Sequence, residues 1–401
     1  MKWEKVRLED CCYSISDGDH QPPPKAQQGI PFVTISNINS MNQLDFSDTM
    51  FVPKEYYRSL DEKRKVRKGD VLYSVVGSFG IPVLIKEERP FVFQRHIAIL
   101  RPKEDIVDSG FLFYTMLSRD FYAKADAVAI GAAQRTVSLG SLRNIKIDVP
   151  SLESQKHIAD ILSAYDDLIE NNQKQIKLLE EAAQRLYKEW FVDLRFPGHE
   201  NTKIVDGVPE GWSVYPFSSK VDIMSGGTPK TSIPDYYNGK IPFYTPKDSD
   251  GAFFAYKTQM NITEGGLKNC NSRLYPPKTV IITARGTVGK TTILAVPMAM
   301  NQSCYALKMK ENDAPYYLFF ALNNEIKALQ TMANGGVFNT IIGKTFDSIN
   351  IQIPKDPLIY GFEKTVRPFM EQIKNKLQAN SKLVEARDRL LPELMSGEVK
   401  V

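Results

Sequence analysis

The stretch Gly286-Thr287-Val288-Gly289-Lys290-Thr291 comes nearest to a recognised chemical motif. It follows an apolar run and imitates a phosphate loop, in which backbone N–H groups and a lysine cradle a nucleotide. The spacing does not fit. A phosphate loop has four residues between its glycines; here there are two, and position 284 is Ala. A second loop of the same kind, Gly77-Ser78-Phe79-Gly80-Ile81, has no lysine at all. A tight turn that offers backbone N–H groups to a phosphate accounts for both.

Other candidate chemistries fail on spacing. Asp61-Glu62-Lys63 and Glu398-Val399-Lys400 supply the acid-x-Lys half of a metal-dependent nuclease motif. The Pro-Asp pair such a motif needs, Pro234-Asp235, lies after the first and far before the second. There is no Asn-Pro-Pro-Tyr/Phe motif for amino methylation and no Gly-x-Ser-x-Gly elbow for a serine nucleophile. His20, His96, His157 and His199 are scattered, and Cys11, Cys12, Cys270 and Cys304 form no Cys-x-x-Cys pair. No metal site is expected, and the cysteines read as reduced thiols. No catalytic residue is assigned.

The elements that carry these residues must therefore do something other than chemistry. The chain has 401 residues, 42% hydrophobic and 24% charged, a normal balance for globular protein and enough for two or more domains. Its formal net charge of +4 is weakly basic. The first residues, Met1-Lys2-Trp3-Glu4-Lys5, have no apolar signal region, and no run long enough to span a bilayer occurs. A cytoplasmic location without membrane contact is expected.

The chain repeats itself. Trp3 opens one unit and Trp212 the other. Ile30-Pro31-Phe32 returns as Ile241-Pro242-Phe243, the strand-like run at Gly69–Ser74 as Lys278–Thr283, and Gly77–Gly80 as Gly286–Gly289. Gln94 and Ala98 match Gln302 and Ala306, and Ile145–Pro150 matches Ile349–Pro354. The matches keep their order while the offset falls from 211 at Ile30/Ile241 to 204 at Ile145/Ile349, as small loop insertions would cause. Each copy reads as short strands: 71–76 and 280–283 are apolar and β-branched, and 145–149 and 349–353 alternate with period two. Gly110 to Leu117 and Pro315 to Leu322 read as short helices.

After each closing proline the period changes. Ile158, Leu162, Tyr165, Ile169, Asn172, Ile176, Leu179, Ala183, Leu186 and Trp190 alternate spacings of four and three, a heptad stripe without Pro or Gly. Thirty-three helical residues make a rod of about 50 Å. Asn172 is a polar seam residue, a kind that sets register. The second copy offers Phe362, Val366, Phe369, Ile373, Leu383, Leu390 and Leu394, interrupted by Lys376, Asn380 and Arg387. Leu377, Val384 and Leu391 offer an adjacent line, so this seam can be shifted; Pro368 is expected to kink or delay the helix. Two readings stand: surface helices buried on their own domains, or helices packed on each other, antiparallel about a pseudo-two-fold axis, with Trp190 and Phe191 left for a partner.

This order of elements resembles the specificity subunit of type I restriction–modification systems. The resemblance is carried by the junction Ile147–Gln155, by Ala183–Asp193, by Pro229-Lys230 after Gly226-Gly227-Thr228, and by the ending Arg387–Glu398. Lys355-Asp356-Pro357 departs from the family's double-proline junction. The resemblance implies an α+β fold: two similar target-recognition domains of mixed sheet and short helices, separated by two long antiparallel coiled-coil helices. The expected boundaries are recognition domain 1–150, spacer helix 151–196, recognition domain 197–354 and spacer helix 355–397. The family further implies that each domain reads one half of a bipartite, asymmetric double-stranded DNA site. The helices set the spacer and dock two methyltransferase subunits, joined by restriction (translocase) subunits. S-adenosylmethionine, ATP and Mg2+ belong to those partners, and no cofactor is expected in this chain. Half-sites one turn apart, about 34–36 Å, suit the rod.

For contacts with DNA, Lys, Arg and loop N–H groups suit phosphates, and Arg, Asn and Gln suit bases. The matched polar loops nominate Ser78 with Thr287, Gln94-Arg95 with Gln302-Ser303, and Gln134-Arg135 with Phe338-Asn339; Lys230, Arg285 and Lys344 join them. Two other functions stay open at this point: a protein-binding scaffold, and a nuclease or methyltransferase with an unfamiliar motif.

Overall fold

The computed structural model describes residues 3–39, 41–132, 134–332, 340–341 and 343–399. The chain divides into two compact units: unit 1 is Met1–Ile169 with Lys382–Val401, and unit 2 is Glu170–Ser381. These are not linear segments, because each unit takes part of both long helices.

In unit 1, β1 (Glu4–Arg7), β2 (Cys12–Asp17), β3 (Ile30–Val33), β4 (Met50–Val52), β5 (Val71–Ser74), β6 (Pro82–Leu84), β7 (Val92–Phe93), β8 (Ile97–Pro102) and β9 (Lys146–Val149) form three sheets. Their orders are β2-β8-β5-β6, β4-β3-β7 and β1-β9. The first and third are antiparallel, while β3 pairs parallel with β7. The inner strand β5 is buried throughout and apolar up to Ser74 because both of its faces are covered. Val71 and Tyr73 enter a core with Phe111 and Leu112, whereas Leu72 enters another with Val33, Phe93 and Ile99. Period-two alternation across a doubly buried strand requires this. Helices α1 (Ser109–Leu117), α2 (Arg119–Val128) and α3 (Leu139–Asn144) follow the sheet and precede β9.

The helix after β9, α4, runs over Leu152–Tyr187 and continues into a π-helical turn, Lys188–Val192.

Unit 2 repeats the plan. Its strands are β10 (Ser213–Pro216), β11 (Val221–Ser225), β12 (Tyr237–Tyr244), β13 (Phe254–Ala255), β14 (Asn261–Ile262), β15 (Val280–Thr283), β16 (Thr291–Leu294), β17 (Ala299–Met300), β18 (Cys304–Met309) and β19 (Asn350–Ile353). The sheets are β11-β18-β15-β16-β13, β14-β12-β17 and β10-β19. Beyond the first copy's plan, unit 2 adds strand β13 and, ahead of β10, a short antiparallel pair of Ile204–Val205 with Val208–Pro209. Val280 and Ile282 face the core that holds Tyr317 and Phe319, and Ile281 faces the opposite one with Leu294 and Met300. The helix α5 (Pro315–Met332) extends well beyond Leu322, where the sequence pattern stops being apolar. α6 is Gly343–Asp347 and α7 is Asp356–Ser396.

Two expectations for α7 change. Pro357 falls in its first turn, where no N–H is needed, so the unusual junction starts the helix cleanly. Pro368 neither ends nor delays α7, which runs unbroken through it.

Within each unit the helices pair antiparallel. In unit 1, Ile158 and Leu162 of α4 share a core with Leu391 and Leu394 of α7. Burying each such side chain contributes roughly 2 kcal/mol. One turn further on, the Arg387 guanidinium meets the Asp166 carboxylate at 2.5 Å, and the Tyr114 hydroxyl donates to the same carboxylate at 2.6 Å. In unit 2, Asn172 donates to the Asn380 side-chain oxygen at 2.8 Å, and Lys376 approaches Asn172 at 3.4 Å. The α7 residues that interrupt the apolar stripe are therefore seam residues with polar partners on α4 or beside it. Ile169, Ile176, Ile373 and Leu394 are buried, and Leu179, Leu186, Leu383 and Leu390 are half-buried. The buried line of α7 passes through Asn380 and Leu391 instead of Leu383 and Leu390.

At the end of α4 the buried line changes as well. Ala183, Tyr187 and Phe191 are buried at spacings of four, and Trp190 is half-buried. The π-helical turn, with its wider i→i+5 step, carries Phe191 into unit 2. There it stands edge-on to Tyr317 (5.0 Å between centroids) and to Phe362 (5.1 Å). Phe191 is thus spent on the unit's own core and is not left for a partner.

Candidate nucleic-acid interface

In unit 1, four connections meet at one end of the largest sheet. They are the residues after β2, the turn between β5 and β6, the turn between β7 and β8, and the segment closed by the Ile130–Thr136 bridge. Backbone bonds fasten them: the Val75 N–H donates to the His96 carbonyl at 2.8 Å, the Val137 N–H to Val75 at 2.9 Å, and the Gly77 N–H to Arg135 at 2.9 Å. Unit 2 reproduces two of these bonds at the matching positions, Ala284 N–H to Ser303 (2.7 Å) and Ile341 N–H to Ala284 (2.9 Å).

The Gly-x-x-Gly turns are the same object in both units. Gly77 and Gly80, like Gly286 and Gly289, have φ between 73° and 96°, a region that glycine enters without penalty. The hydroxyl that precedes each turn locks it from beneath. Ser74 donates to the Ser78 carbonyl at 2.8 Å and accepts from the Ile81 N–H at 2.9 Å. Thr283 donates to the Thr287 carbonyl and accepts from the Lys290 N–H at 3.0 Å. The resemblance to a nucleotide loop thus comes from a rigid turn whose exposed edge is Gly77-Ser78 in one unit and Arg285-Gly286-Thr287 in the other.

Most of the nominated residues reach this end. Ser78 and Thr287 lie on the turns, Gln94-Arg95 and Gln302 between the last two sheet strands, and Gln134-Arg135 in the segment closed by the Ile130–Thr136 bridge. All are exposed except Gln94, which is half-buried. Exposed Lys230 follows Gly226-Gly227, where the chain passes so close to the Met300 and Asn301 carbonyls that a Cβ on Gly226 would lie 2.4 and 2.3 Å from their oxygens. Lys344 is exposed on α6, outside these loops, and Asn339 lies outside the described residues. Arg135 is held by Asp126, 2.7 Å from its carboxylate and 2.5 Å from its backbone carbonyl at the end of α2.

Sequence reasoning missed Lys247 and Lys290. Both are exposed beside the unit 2 turn, since Thr287 donates to the Pro246 carbonyl at 3.2 Å. A signal existed: each aligns with an uncharged residue of the first copy, Ser36 and Ile81.

Among the described residues no group of three metal-ligating side chains occurs. Burial pushes the thiols of Cys11, Cys12 and Cys304 up to about 11, 12 and 12, away from reactive thiolate. Glu62 of the acid-x-Lys triplet is occupied by Lys65 (2.7 Å) and Arg67 (3.3 Å) at the surface. Among the described residues, no helix is long and apolar enough to cross a membrane.

The chain thus consists of two similar units, each with an exposed polar loop end and each including part of both long helices. The chain belongs to the family described as type I restriction modification DNA specificity domain, whose profile matches residues 1–181 and again 209–380. The two matches coincide with the internal duplication. Among similar proteins, the HindI type I restriction enzyme specificity subunit of Haemophilus influenzae is 25% identical, with 99% of each chain covered. The MjaIX specificity subunit of Methanocaldococcus jannaschii is 27% identical, covering 83% of this chain and 78% of that one. The crystal structure of a type I restriction–modification S subunit from M. genitalium shares the fold, with a TM-score of 0.60 at 17% identity, covering 98% of this chain and 96% of that one.

Proposed function

We propose that this specificity subunit reads a split, asymmetric DNA site, one half with each unit, and performs no catalysis itself. The observation that carries the reading is the pair of equivalent loop ends. Two of the backbone bonds that fasten them recur in both units, yet the side chains differ: Ser78 against Thr287, and exposed Arg95 where the other loop has half-buried Ser303. A conserved frame with different side chains is what reading two different half-sites requires. In this reading α4 and α7 serve as the spacer that fixes the unread base pairs, and they dock two methyltransferase subunits. S-adenosylmethionine, Mg2+ and ATP act on those subunits and on a restriction subunit. The chain works in the cytoplasm, where its DNA and partners are.

The test is exchange of residues 1–150 for the matching segment of another family member, followed by methylation mapping of host DNA. One half-site is expected to change while the other half and the spacer stay. A change in both halves ends the independent-unit reading. Purified chain incubated alone with DNA, Mg2+ and S-adenosylmethionine is expected neither to cleave nor to methylate; either activity would reinstate the enzyme alternative.

A further inference from the structure

The two loop ends share a backbone but differ in electrostatics. At matched positions unit 2 carries cations where unit 1 carries none: Arg285 for Val76, Lys290 for Ile81, Lys247 for Ser36 and Lys230 for Pro22. All four are exposed, and among the described residues none of them forms an ion pair. Unit 1 instead places acids at the equivalent end. Asp17 stands where unit 2 has Ser225, and Asp19 where it has Gly227. Asp19 is held by Arg64 at 2.9 Å and by Tyr56, while Asp17 lies 2.9 Å from His20. Arg135 is engaged by Asp126, while Arg95 is exposed on the turn between β7 and β8 and Lys63, whose backbone carbonyl accepts from Ser16, is exposed beside β2. The acid nearest the unit 2 turn, Asp248, faces inward and accepts the N–H groups of Thr245 (2.8 Å) and Gln259 (2.7 Å); Asp250 is exposed beyond it.

Free cations around a rigid turn with outward glycine backbone suit phosphate oxygens, and phosphate contacts set the salt dependence of DNA binding. We infer that the two units divide the work unequally: unit 2, through Arg285, Lys290, Lys247 and Lys230 around the 286–289 turn, grips the DNA backbone, and unit 1 adds sequence discrimination with little backbone charge. This inference rests on the DNA-reading proposal and goes beyond it by assigning the sequence-independent affinity to one unit.

The experiment measures binding of the full chain to a labelled duplex of arbitrary sequence across a series of KCl concentrations. Each phosphate contact adds about 0.9 to the slope of log affinity against log salt. Arg285→Ala with Lys290→Ala is expected to lower that slope by about two, and adding Lys247→Ala by about one more. Arg135→Ala is expected to leave it unchanged, and Asp126→Asn, which removes the opposing charge beside Arg135, to raise it by up to about one. All these positions are at the surface, and an unchanged thermal midpoint for each variant confirms an intact fold. An unchanged slope in the Arg285/Lys290 variant overturns the inference, as does an equal loss from Arg135→Ala, while DNA reading itself stands. Failure of the unsubstituted chain to bind duplex at low salt would instead overturn the DNA-reading proposal, and this inference with it.

Discussion

In unit 1 the start of α1 is capped by its own neighbour: the Asp108 carboxylate accepts the Phe111 N–H at 2.9 Å. The long helix contributes a neutral group, Gln155, which accepts the Asp108 N–H and donates to the Ile106 and Pro150 carbonyls. In unit 2 the matching α5 begins Ala314-Pro315 and has no capping side chain of its own. The long helix supplies the cap: buried Glu363 accepts the N–H groups of Tyr316 (2.8 Å) and Tyr317 (2.9 Å). The seams differ in the opposite sense, with a charged Asp166–Arg387 pair in unit 1 and neutral asparagines in unit 2. Duplicated units thus keep the positions where orphan backbone and seam groups must be satisfied, and each copy satisfies them with different side chains.

The largest expected effect tests whether each unit is a separate cooperative body. Phe362→Ala should remove about 4 kcal/mol from unit 2, and Leu394→Ala about 3 kcal/mol from unit 1. Hydrogen exchange resolved by peptide should show each loss confined to its own unit; shared loss would merge the two. Next in size is Arg387→Ala, which leaves Asp166 with Tyr114 as partner in a mostly buried place and should destabilise unit 1 by about 3 kcal/mol. Adding Asp166→Leu should restore most of that in a denaturant melt, and no restoration would deny the coupling.

Glu363 gives the comparison a pH signature. Burial raises its carboxyl to about 7, against the two backbone bonds that favour the charged form. Between its unfolded value and about 7 the folded state binds more protons, so this group's stabilisation is complete at low pH and is lost as pH rises through 7. Glu363→Gln keeps the acceptor without the charge. Relative to the native chain it should gain about 3 kcal/mol between pH 5 and pH 8. Parallel stability curves would mean that burial does not govern this carboxyl. Unit 1, with neutral Gln155 in the comparable role, should show no such slope, and Gln155→Glu should introduce one. The smallest effect is Asn172→Leu with Asn380→Leu. Removing both partners should shift the thermal midpoint by less than about 1 kcal/mol in equivalent stability, and a large loss would show that the pair does more than set register.

The duplication, the strands and the first heptad stripe were legible because hydropathy alone produces them: a doubly buried run such as Val71–Tyr73 carries large hydrophobic side chains on both faces. The α7 seam was harder to read. Asn380 and Arg387 look like interruptions until Asn172 and Asp166 are seen opposite them, and a linear pattern records polarity without partners. The slip to Tyr187 and Phe191 depends on a π-helical turn, which leaves no compositional trace. At the loop ends, the nominated pairs were found by matching copies, so they favoured positions where both copies are polar. Lys247 and Lys290 escaped because their counterparts are Ser36 and Ile81, and the difference itself is the informative quantity.

Unit 1 is closed by Leu391 and Leu394, which join a core whose other members include Leu8, Phe111, Ile158 and Leu162. On the ribosome, these partners are made first and wait for the whole of unit 2 to be synthesised before the closing segment emerges. At about 5–20 residues per second the wait is roughly ten to forty seconds. Unit 2 has every residue it needs before unit 1 does, although unit 1 begins first. During that interval Ile158 and Leu162 of α4 lack the Leu391 and Leu394 that share their core in the finished protein.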